Sequence, residues 1–184
     1  KGAALVTGAR RGIGKAIALA LADEGFDVAV ADLDAGTDLH SVAVAIAGKG
    51  RKSVAISGDV GNLARHPAIL DEAEKVIGPL TTLLNNAGVS VLNRGDLLDV
   101  SPESFDRCNS INTRGTFFLT QEFARRVLNV KTEAHRSIVN ITSANAAAVS
   151  IARGEYCISK AGASMSSKLF AARLSDEGVG VYEI

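Results

Sequence analysis

The chain has 184 residues, with 20 Lys plus Arg balanced by 20 Asp plus Glu, so no net field is available to gather nucleic acid or an anionic membrane surface. Its 47% hydrophobic content is enough for the core of one domain over 1–184. No apolar stretch reaches the roughly 18 residues of a membrane span, which excludes a helical membrane protein, and no signal-peptide h-region follows Lys1-Gly2.

Strand-length apolar runs recur at Ala3-Thr7, Val28-Ala31, Val54-Ser57, Leu83-Leu84, Ser137-Thr142 and Val179-Ile184. Most are separated by segments long enough for a helix. Lys15-Glu24 is Ala-rich and free of Pro, and Ile69, Leu70, Ala73, Val76 and Ile77 trace one helical face before Gly78-Pro79 stops it. Ser101-Pro102-Glu103 supplies an N-cap, a first-turn proline and an acidic first turn, opening a long helix to about Leu128 that contains Phe105, Phe117, Phe118 and Phe123. A further helix is expected over Glu155-Leu174, ending before Gly178. This alternation predicts an α/β fold with a doubly wound parallel sheet, in which ligands bind beyond the carboxyl ends of the strands.

Residues suited to chemistry follow the strands. After the first comes Thr7-Gly8-Ala9-Arg10-Arg11-Gly12-Ile13-Gly14, with a helix starting at once, where backbone N–H groups receive a dinucleotide pyrophosphate. The spacing is Gly-x3-Gly-x-Gly, so the commoner Gly-x-Gly-x2-Gly pattern is not met. Arg10 and Arg11 are either phosphate partners or solvated surface charge. Asp32 ends the second strand at close to the roughly twenty-residue distance expected of the acid that binds an adenosine ribose, with Asp34 as the competitor if the strand end shifts. A helix cap ahead of Leu63 is the plain alternative for Asp59. Tyr156 and Lys160 are one helical turn apart, which brings an ammonium near a phenol. A free phenol titrates near pH 10, and a neighbouring cation favours its ionised form. Cys108 and Cys157 have no ligand spacing and read as buried free thiols in a reducing, cytoplasmic setting. His40, His66 and His135 are isolated, read as surface or loop residues, and no metal is called for.

Thr7-Gly8-x3-Gly12-Ile13-Gly14, Asp59-Val60, Asn85-Asn86-Ala87-Gly88, Ser143 and Tyr156-Cys157-Ile158-Ser159-Lys160 occur in the order of the short-chain dehydrogenase/reductase family, which the chain resembles over nearly its whole length. The resemblance implies a Rossmann fold and a nicotinamide cofactor bound by Gly8, Arg10, Arg11, Gly12, Ile13, Gly14, Asp32, Asp59, Val60, Asn86, Ala87, Gly88, Tyr156 and Lys160. It implies a catalytic set of Asn112, Ser143, Tyr156 and Lys160. Ser143, preferred to Thr142 by family spacing, would hydrogen-bond the substrate oxygen, and Tyr156 would exchange its proton. Asn112 would interrupt its helix and hold a water connected to Lys160.

The function so implied is hydride transfer between NAD, or with less preference NADP, and a ketone or secondary alcohol, with a 3-oxoacyl thioester or a sugar or polyol as substrate candidates. Asp32 favours NAD because a carboxylate repels a 2′-phosphate; Arg10 and Arg11 pull the other way. The visible substrate-side stretch is Ala144-Glu155, with Asn145, Arg153 and Glu155. Two other functions stay open: an NAD(P)-binding redox sensor without turnover, and an epimerase/dehydratase-type relative, whose usual Gly-x2-Gly-x2-Gly turn is broken by Arg11. A homo-oligomer, dimer or tetramer, is implied through the two long helices, with Ala161, Ala163 and Ser164 on an exposed face. The family normally continues past Ile184 with a Pro-Gly turn, a substrate-covering segment and a last strand, so a C-terminal part is expected to be missing from these residues.

Overall fold

The computed structural model describes residues 1–184. Its elements run β1 (Ala3–Thr7), α1 (Gly12–Asp23), β2 (Asp27–Asp32), α2 (Thr37–Ala47), β3 (Ser53–Ser57), α3 (His66–Ile77), β4 (Thr82–Asn85), α4 (Pro102–Cys108), a π-helical segment Asn109–Gly115, α5 (Thr116–Val127), β5 (Arg136–Asn140), α6 (Gly154–Leu174) and β6 (Val179–Glu183). The six strands form one sheet in the order β3-β2-β1-β4-β5-β6, every neighbouring pair parallel. The winding direction reverses between β1 and β4, and the crevice at that reversal lies where Gly8 and Asn86 leave the sheet.

Helices cover both faces, so the strands are apolar throughout rather than alternating. Leu5, Ala29, Ala31, Ile56, Leu83 and Ile138 point into one core with Ile69, Leu70 and Phe123 from α3 and α5. Their neighbours Val6, Val28, Val30 and Leu84 point into the other, with Ala18 from α1 and Leu39, Val42 and Ile46 from α2. Ser101 caps α4 by accepting the Ser104 N–H at 3.2 Å, with Pro102 in the first turn.

The helix expected from Glu103 to Leu128 is interrupted around Asn112, as the resemblance implies: over Asn109–Gly115 the hydrogen bonds span five residues instead of four. A Cβ on Gly115 would collide with the Val60 carbonyl, so the helix lies unusually close to the loop after β3. Several other expectations are corrected. Val76 is exposed and only Ile69, Leu70, Ala73 and Ile77 of the predicted α3 face are buried. β5 stops at Asn140, before Thr142, and α2 carries no sharp start signal in sequence because Gly36 caps it without a side chain. His66 is not a surface residue: its ring is buried, with Nε2 2.8 Å from the Val60 carbonyl oxygen. Cys108 is buried but Cys157 only partly so. Ala163 and Ser164 belong to the inner face of α6; Ile158, Ala161, Met165 and Leu169 form the exposed one. No helix is long and apolar enough to cross a membrane.

Candidate active site

The β1-α1 turn is built around one hydroxyl. Thr7 Oγ1 donates to Leu84 O at 3.2 Å and accepts the N–H groups of Asn86 and Ala87, each at 3.1 Å. Asn86 returns the contact, its Nδ2 donating to Thr7 O at 3.0 Å and Gly8 O at 2.9 Å. The two loops are thereby locked together at the sheet's reversal point. Gly8 has φ +64° and a Cβ there would lie 2.8 Å from Ala87 Cα, while Gly12, at φ +56°, faces open space.

Beside this turn is a cavity of about 480 Å³ lined by Gly8, Arg10, Arg11, Asp32, Asp59, Val60, Asn86, Ala87 and Gly88, together with Leu33, Val89, Arg107 and Ile111, which the sequence reading did not single out. Gly12, Ile13 and Gly14 do not line it: Gly14 is buried against Gly8, and the Ile13 side chain is exposed. Asp32 is held at the rim, Oδ2 accepting Arg10 N–H at 3.1 Å and Oδ1 accepting Leu33 N–H at 2.9 Å. Asp34 instead accepts Gly36 N–H at 3.0 Å and closes its own turn. Arg10 bends toward Asp32, with Nε 4.0 Å from Oδ1, and that Nε is buried with no hydrogen-bond partner. Asp59 is no helix cap; Asn62 caps the short turn Leu63–Arg65, and Asp59 accepts Gly61 N–H at 2.7 Å.

The second half of the site comes from β4, β5, the π-helical segment and α6. Asn112 Oδ1 accepts Val89 N–H at 2.8 Å, and Nδ2 donates to Val89 O and Ser159 Oγ, each at 2.9 Å. A Cβ on Gly88 would stand 3.1 Å from Asn112 Oδ1 and 3.6 Å from Lys160 Nζ, so these three residues converge. Lys160 is 7% exposed, and its Nζ donates to Ile141 O at 2.9 Å and lies 5.9 Å from the Tyr156 ring centroid. Burial in this setting pulls the Lys160 ammonium below the ordinary lysine range. Ser143 Oγ accepts Asn145 N–H at 3.2 Å, which leaves its own hydrogen to donate elsewhere. Thr142 points the other way, donating to Ile184 O at 3.2 Å.

A buried chain of polar groups underlies this half. Asn85 Nδ2 donates to Thr120 Oγ1 and to Asn140 Oδ1, both at 2.8 Å, and Asn140 Nδ2 donates to Ser167 Oγ at 2.8 Å. It ties α5, β4, β5 and α6 together directly beneath Asn86 and Lys160. Glu155 was expected on the substrate side, but it is buried and turned away, Oε1 accepting Ser104 Oγ–H at 2.6 Å. Burial, reinforced by that carboxylate, pushes the Cys108 thiol up and keeps it uncharged.

The Lys160 ammonium thus lies between the Tyr156 ring and Gly88, and Gly88 lines the cavity beside the β1-α1 turn. The family model for short chain dehydrogenase matches residues 2–184. The chain belongs to the short-chain dehydrogenase family. Relatives in that family include a short-chain dehydrogenase/reductase of Armillaria gallica, 40% identical over 68% of this chain and 48% of its own length. A 3-oxoacyl-acyl-carrier-protein reductase of Staphylococcus aureus is 33% identical over 97% of this chain and 70% of its own. The chain spans about half the length of several of the relatives it matches. Among solved structures, a 3-oxoacyl-acyl-carrier-protein reductase of Brucella melitensis in complex with NAD superposes with a TM-score of 0.95 at 38% identity, over 100% of this chain and 72% of that one.

Proposed function

We propose that residues 1–184 form a nicotinamide-dependent oxidoreductase unit that interconverts a ketone and a secondary alcohol. The observation that carries this reading is the convergence of Tyr156, Lys160, Asn112 and Gly88 beside the glycine-lined cavity. The cavity fits a dinucleotide on two grounds. The Arg10 Nε is an orphaned buried donor, and the turn presents Gly12 with no side chain in front of it. Arg10, Arg11 and the turn's backbone would hold the phosphates, Asp32 a ribose, Asp59 and Val60 the adenine side, and Asn86, Ala87, Gly88 and Lys160 the nicotinamide ribose. When bound, the nicotinamide supplies or accepts the hydride.

The protein's own groups manage the oxygen and its proton. Ser143 donates to the substrate oxygen, having its acceptor side taken by Asn145. Tyr156 gives its proton to that oxygen in reduction and takes it back in oxidation. Lys160 places a positive charge beside the ring, which stabilises negative charge developing on the phenol oxygen. Asn112 holds the turn carrying Gly88 and Val89 against α6 through Val89 and Ser159.

NAD is preferred to NADP on this reading, because Asp32 is fixed at the cavity rim by two backbone N–H groups and cannot swing away from a 2′-phosphate. Substrate candidates remain 3-oxoacyl thioesters and sugars or polyols. The full-length protein is expected to form a homo-oligomer through the outer face of α6, now read as Ile158, Ala161, Met165 and Leu169, and light scattering that finds a strict monomer would refute it. The free thiols Cys108 and Cys157 support a reducing, cytoplasmic setting. The deciding experiment follows nicotinamide absorbance with both cofactors over a panel of ketones and alcohols. Turnover requiring Tyr156 sustains the reading, and cofactor binding without turnover of any carbonyl would favour a redox sensor instead.

A further inference from the structure

Arg153 has no part in the hydride chemistry just described, yet it stands over the phenol. Its guanidinium carbon is 5.5 Å from the Tyr156 ring centroid, and its Nη2 donates to Asn145 Oδ1 at 2.8 Å. Asn145 is itself fixed, its Nδ2 donating to Ala148 O at 3.1 Å and its backbone N–H to Ser143 Oγ at 3.2 Å. One short loop therefore carries the hydroxyl donor, the amide and the guanidinium in a fixed arrangement, with the guanidinium over the phenol ring. Arg153 has no anionic partner. The arginines that form ion pairs are Arg10, Arg51, Arg65, Arg125, Arg126 and Arg173, and the adjacent carboxylate, Glu155, is committed to Ser104 inside the protein.

A guanidinium has five donors in a planar fork that matches a carboxylate with two parallel hydrogen bonds. The Asn145 bond uses one of them and fixes the plane, so little rotamer freedom is left to lose when an anion docks. The remaining donors sit on the loop that also carries Ser143, with the guanidinium carbon 5.5 Å from the Tyr156 ring centroid.

We propose that Arg153, oriented by Asn145, selects substrates that carry a carboxylate a few bonds from the reacting carbonyl: oxo acids and their hydroxy-acid counterparts, carboxylate-bearing sugars included. The proposal rests on the oxidoreductase reading above and narrows its substrate class. The carboxylate is a handle and is unchanged by the reaction; the carbonyl carbon gains the hydride from the reduced nicotinamide, and its oxygen gains the Tyr156 proton.

The test measures kcat/KM of the full-length enzyme, with each nicotinamide, for short α-, β- and γ-oxo carboxylates and their matching carboxamides. The parent is expected to favour at least one carboxylate over its carboxamide. Arg153→Gln should cut kcat/KM for that acid by about 10- to 100-fold, the range for a lost charged hydrogen-bond pair, while the carboxamide changes by less than about threefold. Arg153→Lys should recover only part of the loss, because it keeps the charge without the fork. A parent indifferent to the carboxylate overturns the proposal. An equal fall for acid and amide also overturns it, showing that the guanidinium acts on Tyr156 alone. If no carbonyl is turned over, calorimetric titration of the same acids and amides into the nicotinamide-loaded protein decides. Carboxylate-selective binding that Arg153→Gln removes sustains the selector while refuting oxidoreductase turnover, and its absence refutes both.

Discussion

Replacing Thr7 by Val preserves shape and removes one oxygen, and that oxygen receives two backbone N–H groups from the opposite loop while donating to Leu84. Thr7 is 1% exposed, and the added methyl would stand where Oγ1 now lies 3.1 Å from two backbone nitrogens, so a small outward shift of the loops accompanies the loss. The two amides lose their acceptor. An unsatisfied buried donor costs about 1–3 kcal/mol, and because Asn86 and Ala87 are only partly buried the lower part of that range applies to each, giving a total of about 2–3 kcal/mol. With an unfolding entropy of about 2.1 cal/mol/K per residue over 184 residues, this lowers Tm by roughly 5–8 °C. The assay is thermal and urea unfolding of the parent, Thr7→Val and Thr7→Ser, the last retaining the hydroxyl and most of the stability. The Thr7→Val variant should also bind nicotinamide cofactor more weakly, since the amides it releases shape the floor of the cavity. A Thr7→Val protein within about 0.5 kcal/mol of the parent would refute the view that this hydroxyl holds the two loops together.

Tyr156→Phe is expected to lower kcat by about two to four orders of magnitude with cofactor affinity nearly unchanged, as checked by turnover and fluorescence titration; comparable turnover would remove Tyr156 from proton transfer. Lys160→Met should weaken cofactor binding and, because burial depresses the Lys160 ammonium, alter the pH dependence of stability. The sign follows from proton counting: between the lowered value and the ordinary 10.5 the unfolded chain binds more protons, so the parent gains stability as pH rises through that window and the variant lacks this gain. Urea midpoints of both proteins across neutral to alkaline pH test it, and parallel curves would contradict the burial argument. Asp32→Ala should raise the ratio of catalytic efficiency with NADP to that with NAD; an unmoved ratio would show that another residue selects the cofactor.

The strands and most helices were legible because periodicity and glycine placement are local signals, and the glycine-rich turn after β1 and the Tyr156–Lys160 pair were legible because their spacing is short. What escaped was set by contacts distant in sequence. Nothing local marks His66 as buried, because its partner is the Val60 carbonyl across a loop. Glu155 looked like a substrate contact beside Tyr156, but adjacent helix residues face different directions, and its carboxylate meets Ser104 from α4. Family-like helix pairing and small size point Ala163 and Ser164 outward, whereas the inner face of α6 is itself small and polar so that Lys160 and Ser167 can reach the sheet. Asn85 and Asn140 each end a strand, and two Asn at parallel strand ends were a readable hint of the amide chain beneath the site.

The widened turn at Asn109–Gly115 works as an indexing joint. An α-helix advances about 100° per residue, so one extra residue in a turn re-phases everything after it by about that angle. Phe123 and Leu119 in α5 can therefore face the sheet core while Asn112, upstream, faces Val89 and α6. An uninterrupted helix would align only one of these sets. Removing one residue other than Asn112 from this turn would let the helix close to regular winding with the two faces still in phase, whereas tightening the turn with every residue kept would put them out of step by roughly a quarter turn.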